Sequence, residues 1–334
     1  MKIGIVGDIH FCEYSSILRH KGTKYSSRLE NCIESINWAE KTTENCDTII
    51  YLGDFFDKSS LNASELTAFS ELKWNNKHHE FLVGNHEMGI NNLIYSSAHI
   101  FNDFEYDIKH VIDSPTKVII DDCEICYLPY LLNSTEFSIC EYFGEKTKKK
   151  RIIFSHNDIA GLQLGKFVSK SGFSMKDIED SCDLFINGHL HNGAKISSKI
   201  INLGNLTGQN FSEDGFLYNH KIMILDTDTL NLTEFVNPYA LNFYKIDNDL
   251  SLLDRVINAV VTLKVDSDKA QEAKKLLKRE NIVASRLIIN YESLQTEENM
   301  TLLSVNHLDE FRKFVLEKIG TSDLVLEELD IIDG

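Results

Sequence analysis

Five times in its first two-thirds the chain runs through a short apolar stretch and breaks off into a small residue followed by acids, amides and histidines. "KIGIV" gives way to GDIH, "TIIYL" to GDFFD, "EFLV" to GNHE, "RIIF" to SHND and "LFIN" to GHLH. Apolar runs of four or five residues bounded in this way read as buried strands. The polar clusters therefore fall at the carboxyl ends of strands, where sheet-based proteins gather ligands. One cluster places His189 and His191 two residues apart. Residues at that spacing in an extended segment point to one side, so the pair can hold two neighbouring points in space.

Between the first strands the period changes. Leu29, Cys32, Ile33, Ile36 and Ala39 fall at helical spacing, as do Leu66, Phe69 and Leu72, with Asn62 or Ser64 available as an N-cap. This β-α-β-α-β order predicts a sheet covered by helices. Further on, "KVIIDDCEICYLPY" reads as a hairpin turning at Asp121–Asp122, and "HKIMILD" with "LNLTEFV" as another. The later part reads as hairpins rather than crossovers. The expected architecture is α/β (α+β), two sheets packed as a β-sandwich flanked by helices. From about residue 241 the pattern changes to a strand "AVVTLKV", a charged helix "SDKAQEAKKLLKREN", a strand "SRLIINY" and an amphipathic helix near "VNHLDEFRKFVLEKIG". The expected division is 1–240, a smaller C-terminal α/β domain over 241–295, and a helical segment with an acidic tail over 296–334.

Composition narrows the classes. A chain of 334 residues that is 43% hydrophobic can bury one sizeable core and a second unit. No apolar run approaches the ~20 residues of a membrane span, and the amino-terminal stretch lacks the features of a signal peptide. Seven cysteines without framework spacing fit a reducing cytoplasm. Cys123 and Cys126 read as buried structural thiols, since no second pair completes a zinc tetrahedron. A net charge of −17 counts against a broad basic nucleic-acid face. It leaves room for an enzyme that meets DNA at one local site or through a partner.

The clusters contribute Asp8, His10, Asp54, Asn85, His86, His156, His189 and His191. Carboxylate, imidazole and amide oxygen together suit borderline ions such as manganese, iron or zinc rather than calcium. Asp54 is the natural bridge, one carboxylate oxygen for each of two ions. Two such ions ~3.5–4 Å apart activate a water and hold both the attacking and departing oxygens of a phosphoryl group. Two divalent ions, two carboxylates and a hydroxide leave one net positive charge to meet a phosphodiester anion. His86 is better placed to stabilise phosphoryl oxygens and protonate the leaving alkoxide than to bind metal, with Asp57 or Glu87 to orient it or a ligand histidine. The other seven histidines, His78 and His110 among them, read as surface or ordinary packing.

These five spaced motifs resemble the calcineurin-like metallophosphoesterase superfamily across roughly the first 240 residues. The resemblance implies that Asp8, His10, Asp54 and His191 hold one ion, that Asp54, Asn85, His156 and His189 hold the other, and that His86 is the catalytic acid. "INLGNLTGQNFSEDGF", the following hairpin and the small domain resemble the SbcD-type nuclease subunit, related to the meiotic-recombination nuclease and phage recombination exonucleases. GNHE in place of the commoner GNHD, and Asn205 where many relatives have serine, are departures that bear on substrate choice. That likeness implies a manganese-dependent DNA exonuclease and endonuclease in recombination, repair and replication. It also implies a homodimer working with an SbcC-type coiled-coil ATPase in the cytoplasm, the host's if phage-encoded. The same two ions would serve a free-standing phosphatase or nucleotide phosphodiesterase, and a non-catalytic binding protein would be free to lose ligands.

The stripe Leu302, Leu303, Val305, Leu308, Phe311, Phe314, Val315 and Ile319 fits either partner docking or packing on its own domain. The basic run "EKTKKKR" reads as a solvated loop before a strand, with DNA phosphate contact as the other reading. The segment from Phe11 to Arg28 either overhangs the site or lies at a dimer contact.

Overall fold

The computed structural model describes residues 1–15, 18, 24–103, 109–132, 134–164 and 167–290. The stripe from Leu302, the acidic tail, and Arg19, His20 and Lys21 of the Phe11–Arg28 segment lie outside those residues. Met1–Val265 and Gln271–Ile288 form one compact unit; Asp266–Ala270 belongs to a second, together with residues 289–334.

The chain opens with β1 (Lys2–Val6), α1 (Ser27–Thr42), β2 (Thr48–Tyr51), α2 (Ala63–Ser70), β3 (His78–Leu82) and β4 (Lys109–Ile112). These four strands run parallel side by side. Helix α1 starts where the Ser26 side chain accepts the Leu29 N–H, and it buries Leu29, Cys32, Ile36 and Ala39. Asn62, not Ser64, caps α2, in a reciprocal box with Glu65. Leu66, expected in the apolar stripe, is exposed, because the short helix turns Ala68 and Phe69 to the core instead.

A second series follows: β5 (Thr116–Ile120), β6 (Cys123–Leu128), α3 (Ile139–Phe143), β7 (Lys150–Ser155), α4 (Met175–Ser181), β8 (Leu184–Asn187), β9 (Ala194–Lys195) and β10 (Ile200–Asn202). β5 and β6 form the expected hairpin, turning at Asp121 with φ 53°. The reading of this region as hairpins is otherwise corrected. β6, β7, β8 and β10 are mutually parallel, and only β5 and β9 at the two edges pair antiparallel. The short helices α3 and α4 carry the crossovers, and parallel strands buried on both faces read as unbroken apolar runs. The hairpin β11 (Lys221–Asp226) and β12 (Asn231–Val236) then returns to the first sheet beside β1.

The sheet orders are β12-β11-β1-β2-β3-β4 and β9-β10-β8-β7-β6-β5. Ile3, Ile5, Ile50 and Leu82 of the first sheet meet Ile125, Ile152, Phe154 and Ile186 of the second in a shared core. Outside the first sheet, α1 and α2 cover an aromatic cluster of Phe55, Phe56, Phe69, Phe81 and Phe101. Outside the second, Ile139 of α3 and Ile178 of α4 pack on Cys126, Ile153 and Phe185. This is a two-sheet sandwich flanked by helices. Strands β13 (Asn242–Asp247), β14 (Ala259–Asp266) and β15 (Ile282–Asn290), with α5 (Ala270–Leu276) between the last two, make a third, small sheet.

Candidate metal centre

All five polar clusters meet at one edge of the sandwich, because β1, β2, β3, β7 and β8 all end there. The loops are laced together by backbone hydrogen bonds. The N–H groups of Ile9 and His10 both donate to the Asp54 carbonyl at 3.1 and 2.9 Å, Gly188 N–H to Ser155, and Leu206 N–H to Asp8. His10, Asp54 and His189 hold positive φ values of 51°, 46° and 68°. Such backbone costs about 1–3 kcal/mol per residue and is retained where surrounding contacts over-determine it. At Gly188 a Cβ would lie 2.6 Å from Asp8 Oδ1, so only glycine lets this loop close on the carboxylate.

Four imidazoles share one design. His156 Nδ1 lies 2.8 Å from the Leu52 carbonyl, leaving Nε2 at 3.0 Å from Asp54 Oδ2 and 3.2 Å from Asn85 Oδ1. His189 Nε2 is 3.2 Å from Asp158 Oδ1 and its Nδ1 is 3.0 Å from Asn85 Oδ1. His10 Nδ1 lies 3.2 Å from Asp57 Oδ1, and His191 Nδ1 lies 3.4 Å from Glu213 Oε1. His156 and His189 are hydrogen-bonded from behind, while His10 and His191 have a carboxylate at ion-pair distance behind them, and the second nitrogen of each ring faces the middle. A back contact of this kind favours the tautomer whose inward nitrogen can take a cation. The inward nitrogens of His10 and His191 then face each other at 3.1 Å. One proton shared between them makes this a hydrogen bond, and two nitrogens each ~2.1 Å from a shared cation also settle about that far apart.

The carboxylates fit the same purpose. Asp8 is fully buried; its Oδ1 accepts the His189 N–H at 3.1 Å, while Oδ2 has no hydrogen-bond partner. A buried, unsatisfied carboxylate oxygen is costly unless a cation meets it. Asp54, buried as well, groups with His156 and His189 on one side and with His10 and His86 on the other, and His10 links it to Asp8 and His191. Burial opposes its charge, yet His156 holds its carboxyl far below the ordinary range. Burial likewise opposes charge on His156, but Asp54 and Asp8 prevail and raise it to about 9. Burial lowers the pKa of His10, against the pull of Asp57 and Asp54.

His86 sits at the rim of this set: its ring meets that of His10 edge to face with centroids 4.6 Å apart, and it joins His10 and Asp54 in a further group able to hold a cation. Its ring is about 40% exposed, and its backbone N–H donates to Asp54 Oδ1 at 2.9 Å. Its Nδ1 lies 3.1 Å from the Asp57 carbonyl and 3.6 Å from the Asp57 carboxylate, so Asp57 touches both His10 and His86. Glu87 is buried beside Asp54 and His156. It accepts the Phe56 and Gly84 N–H groups at 3.0 and 2.9 Å, tying two loops together.

Two residues that contact candidate ligand histidines were not singled out from the sequence. Asp158 lies two residues beyond His156, and that i, i+2 spacing was the available signal. Glu213 lies in irregular chain with no periodicity. It is held by Asn205 Nδ2 and the Gln209 N–H, both at 3.0 Å, and its loop is tied to the third sheet where Gly208 N–H donates to Leu241 and Gly215 N–H to Phe243. Asn205, the departure from serine, thus supports a ligand's support. The basic run is not at this edge. Arg151 is buried against Glu124, Lys146 pairs with Asp183, and Lys150 reaches the Asp228 carbonyl, all near the opposite end of β7 from His156.

A family model, the calcineurin-like phosphoesterases, matches residues 1–193. No curated protein matches the chain. Among the described residues, no helix is long and apolar enough to cross a membrane.

Proposed function

The chain belongs to the calcineurin-like phosphoesterase family and is a metal-dependent hydrolase of phosphoesters; from that premise we propose that it cleaves DNA, as the nuclease subunit of an SbcCD-like complex. The observation that carries the hydrolytic part is the ring of four back-supported imidazoles around the buried carboxylates of Asp8 and Asp54. Asp8, His10, Asp54 and His191 are assigned to one divalent ion. Asp54, Asn85, His156 and His189 are assigned to the second, with manganese the expected metal.

Ions bound there supply Lewis-acid activation of water and neutralise charge on the phosphoryl group. The chain's own residues do the rest. Leu52, Asp57, Asp158 and Glu213 hold the rings, so the site need not reorganise as charge develops. His86, at the open rim and set by Asp57, is assigned the proton donated to the leaving oxygen. The exposure of that ring favours an ester on a large substrate, since the scissile group is reached from the surface.

A DNA substrate is supported by the sequence layout beyond the core, where a third sheet follows the phosphoesterase fold and braces the Glu213 loop. The net charge of −17 assigns DNA affinity to local contacts and to partners, a second copy and a coiled-coil ATPase. The seven cysteines are free thiols, which fits a cytoplasmic setting. Incubating the purified chain with manganese and linear DNA is expected to release nucleotides. Turnover of p-nitrophenyl phosphate with DNA left intact would instead identify a free-standing phosphatase or nucleotide phosphodiesterase.

A further inference from the structure

At the other end of β3, remote from the catalytic edge, lies a second group of metal-ligating side chains. His78 and Glu80 sit two residues apart on β3, and His110 on β4 is the cross-strand partner of Glu80. The alternation of a strand puts all three on one face. It is the inter-sheet face, since Leu82 at the same phase lies in the shared core, while Phe81 packs under α1 and α2. His78 Nε2 is 2.9 Å from Glu80 Oε1, and His110 Nδ1 is 3.7 Å from the same oxygen. One ligand atom from each residue lies within 4.8 Å of the other two. The two rings meet edge to face, with centroids 4.5 Å apart.

We infer that His78, Glu80 and His110 form a further cation site, for zinc or a similar divalent transition ion, that pins edge strand β4 to β3. Ligand atoms ~2.0–2.1 Å from a tetrahedral zinc stand about 3.3 Å from one another, and the two separations from Glu80 Oε1 fall on either side of that value. The His78–Glu80 hydrogen bond accounts for Glu80 Oε1 but not for the rest of the carboxylate. Glu80 is only 7% exposed, and its Oε2 is buried without a hydrogen-bond partner. A carboxylate so placed is costly unless a cation meets it. Both histidine side chains are about 40% exposed, so an ion and a completing water can enter. Two imidazoles and one carboxylate match zinc's preferred donors and leave one position for that water. About 13 Å of strand separates His78 from Leu82 at ~3.3 Å per residue, and the catalytic loops begin beyond Leu82. The site is therefore structural and not an extension of the centre.

The test is metal content of the full chain, stripped and then dialysed against micromolar free zinc. An Asp54→Ala, His189→Ala variant, disabled in the catalytic set, is expected to retain one tightly bound zinc. Adding His110→Ala or, separately, His78→Ala should remove that equivalent. In the otherwise native chain, His110→Ala should lower the zinc count by one and change phosphoesterase activity by less than about twofold. A disabled chain that binds no zinc, or a zinc count that neither His78→Ala nor His110→Ala lowers, overturns the assignment. Circular dichroism on the same samples separates loss of the site from loss of fold, since both rings lie at the surface.

Discussion

Replacing His86 by alanine removes an exposed ring at the rim and none of the four back-supported rings or buried carboxylates. The variant is expected to keep two bound ions while the rate falls by about 10²–10⁴, the usual worth of a positioned general acid. Metal analysis beside a rate assay checks this, and loss of an ion would make His86 a ligand. His156 gives a second prediction. With its pKa raised to about 9, the apo protein carries a proton there at neutral pH, and an ion must displace it. Metal affinity should therefore fall as pH falls below about 9, by roughly tenfold per unit for one displaced proton. Calorimetric titration at pH 7 in two buffers of different ionisation enthalpy should detect proton release, and none would contradict the assignment. Every residue named from the motifs lies at this edge, because a strand-end motif carries its own position. Glu213 was not legible: it acts 22 residues from His191 through a loop without period, and only the folded chain brings the two within 3.4 Å.

At the scale of elements, the loops after β1 and β8 close on each other through Gly188. A Gly188→Ala chain must push the Asp8 carboxylate aside, since the added carbon would lie 2.6 Å from its Oδ1. Loss of metal affinity with the secondary structure intact is expected, measured by metal content and circular dichroism. Asn62→Ala should cost about 1 kcal/mol in urea unfolding, because it removes the reciprocal cap of α2. That helix also shows where periodicity misleads. Three apolar residues at helical spacing pointed to Leu66, yet eight residues make barely two turns, and the buried face is chosen by what lies beneath, here Phe56 and Phe101. The second sheet shows the same limit. "RIIF" and "LFIN" were legible as strands, but whether they pair by hairpin or crossover depends on α3 and α4, helices of five and seven residues, too short to leave a periodic signal.

Over the whole molecule, the residues assigned as ligands come from the ends of β1, β2 and β3 of one sheet and of β7 and β8 of the other, so ions held there would tie the two layers together. Binding to the folded state alone should stabilise it by about 2.7 kcal/mol at a hundredfold excess over Kd, and stripping with a chelator should lower the thermal midpoint accordingly. Five motifs spread over some 180 residues made the fold class legible, because a sandwich with all parallel strand ends at one edge brings them together. The most direct measurement is anomalous diffraction from crystals grown with manganese. Two peaks are expected, one within bonding distance of Asp8, His10 and His191, the other of Asn85, His156 and His189, with the Asp54 carboxylate touching both. A single peak, or an Asp54 that touches neither, would contradict the account.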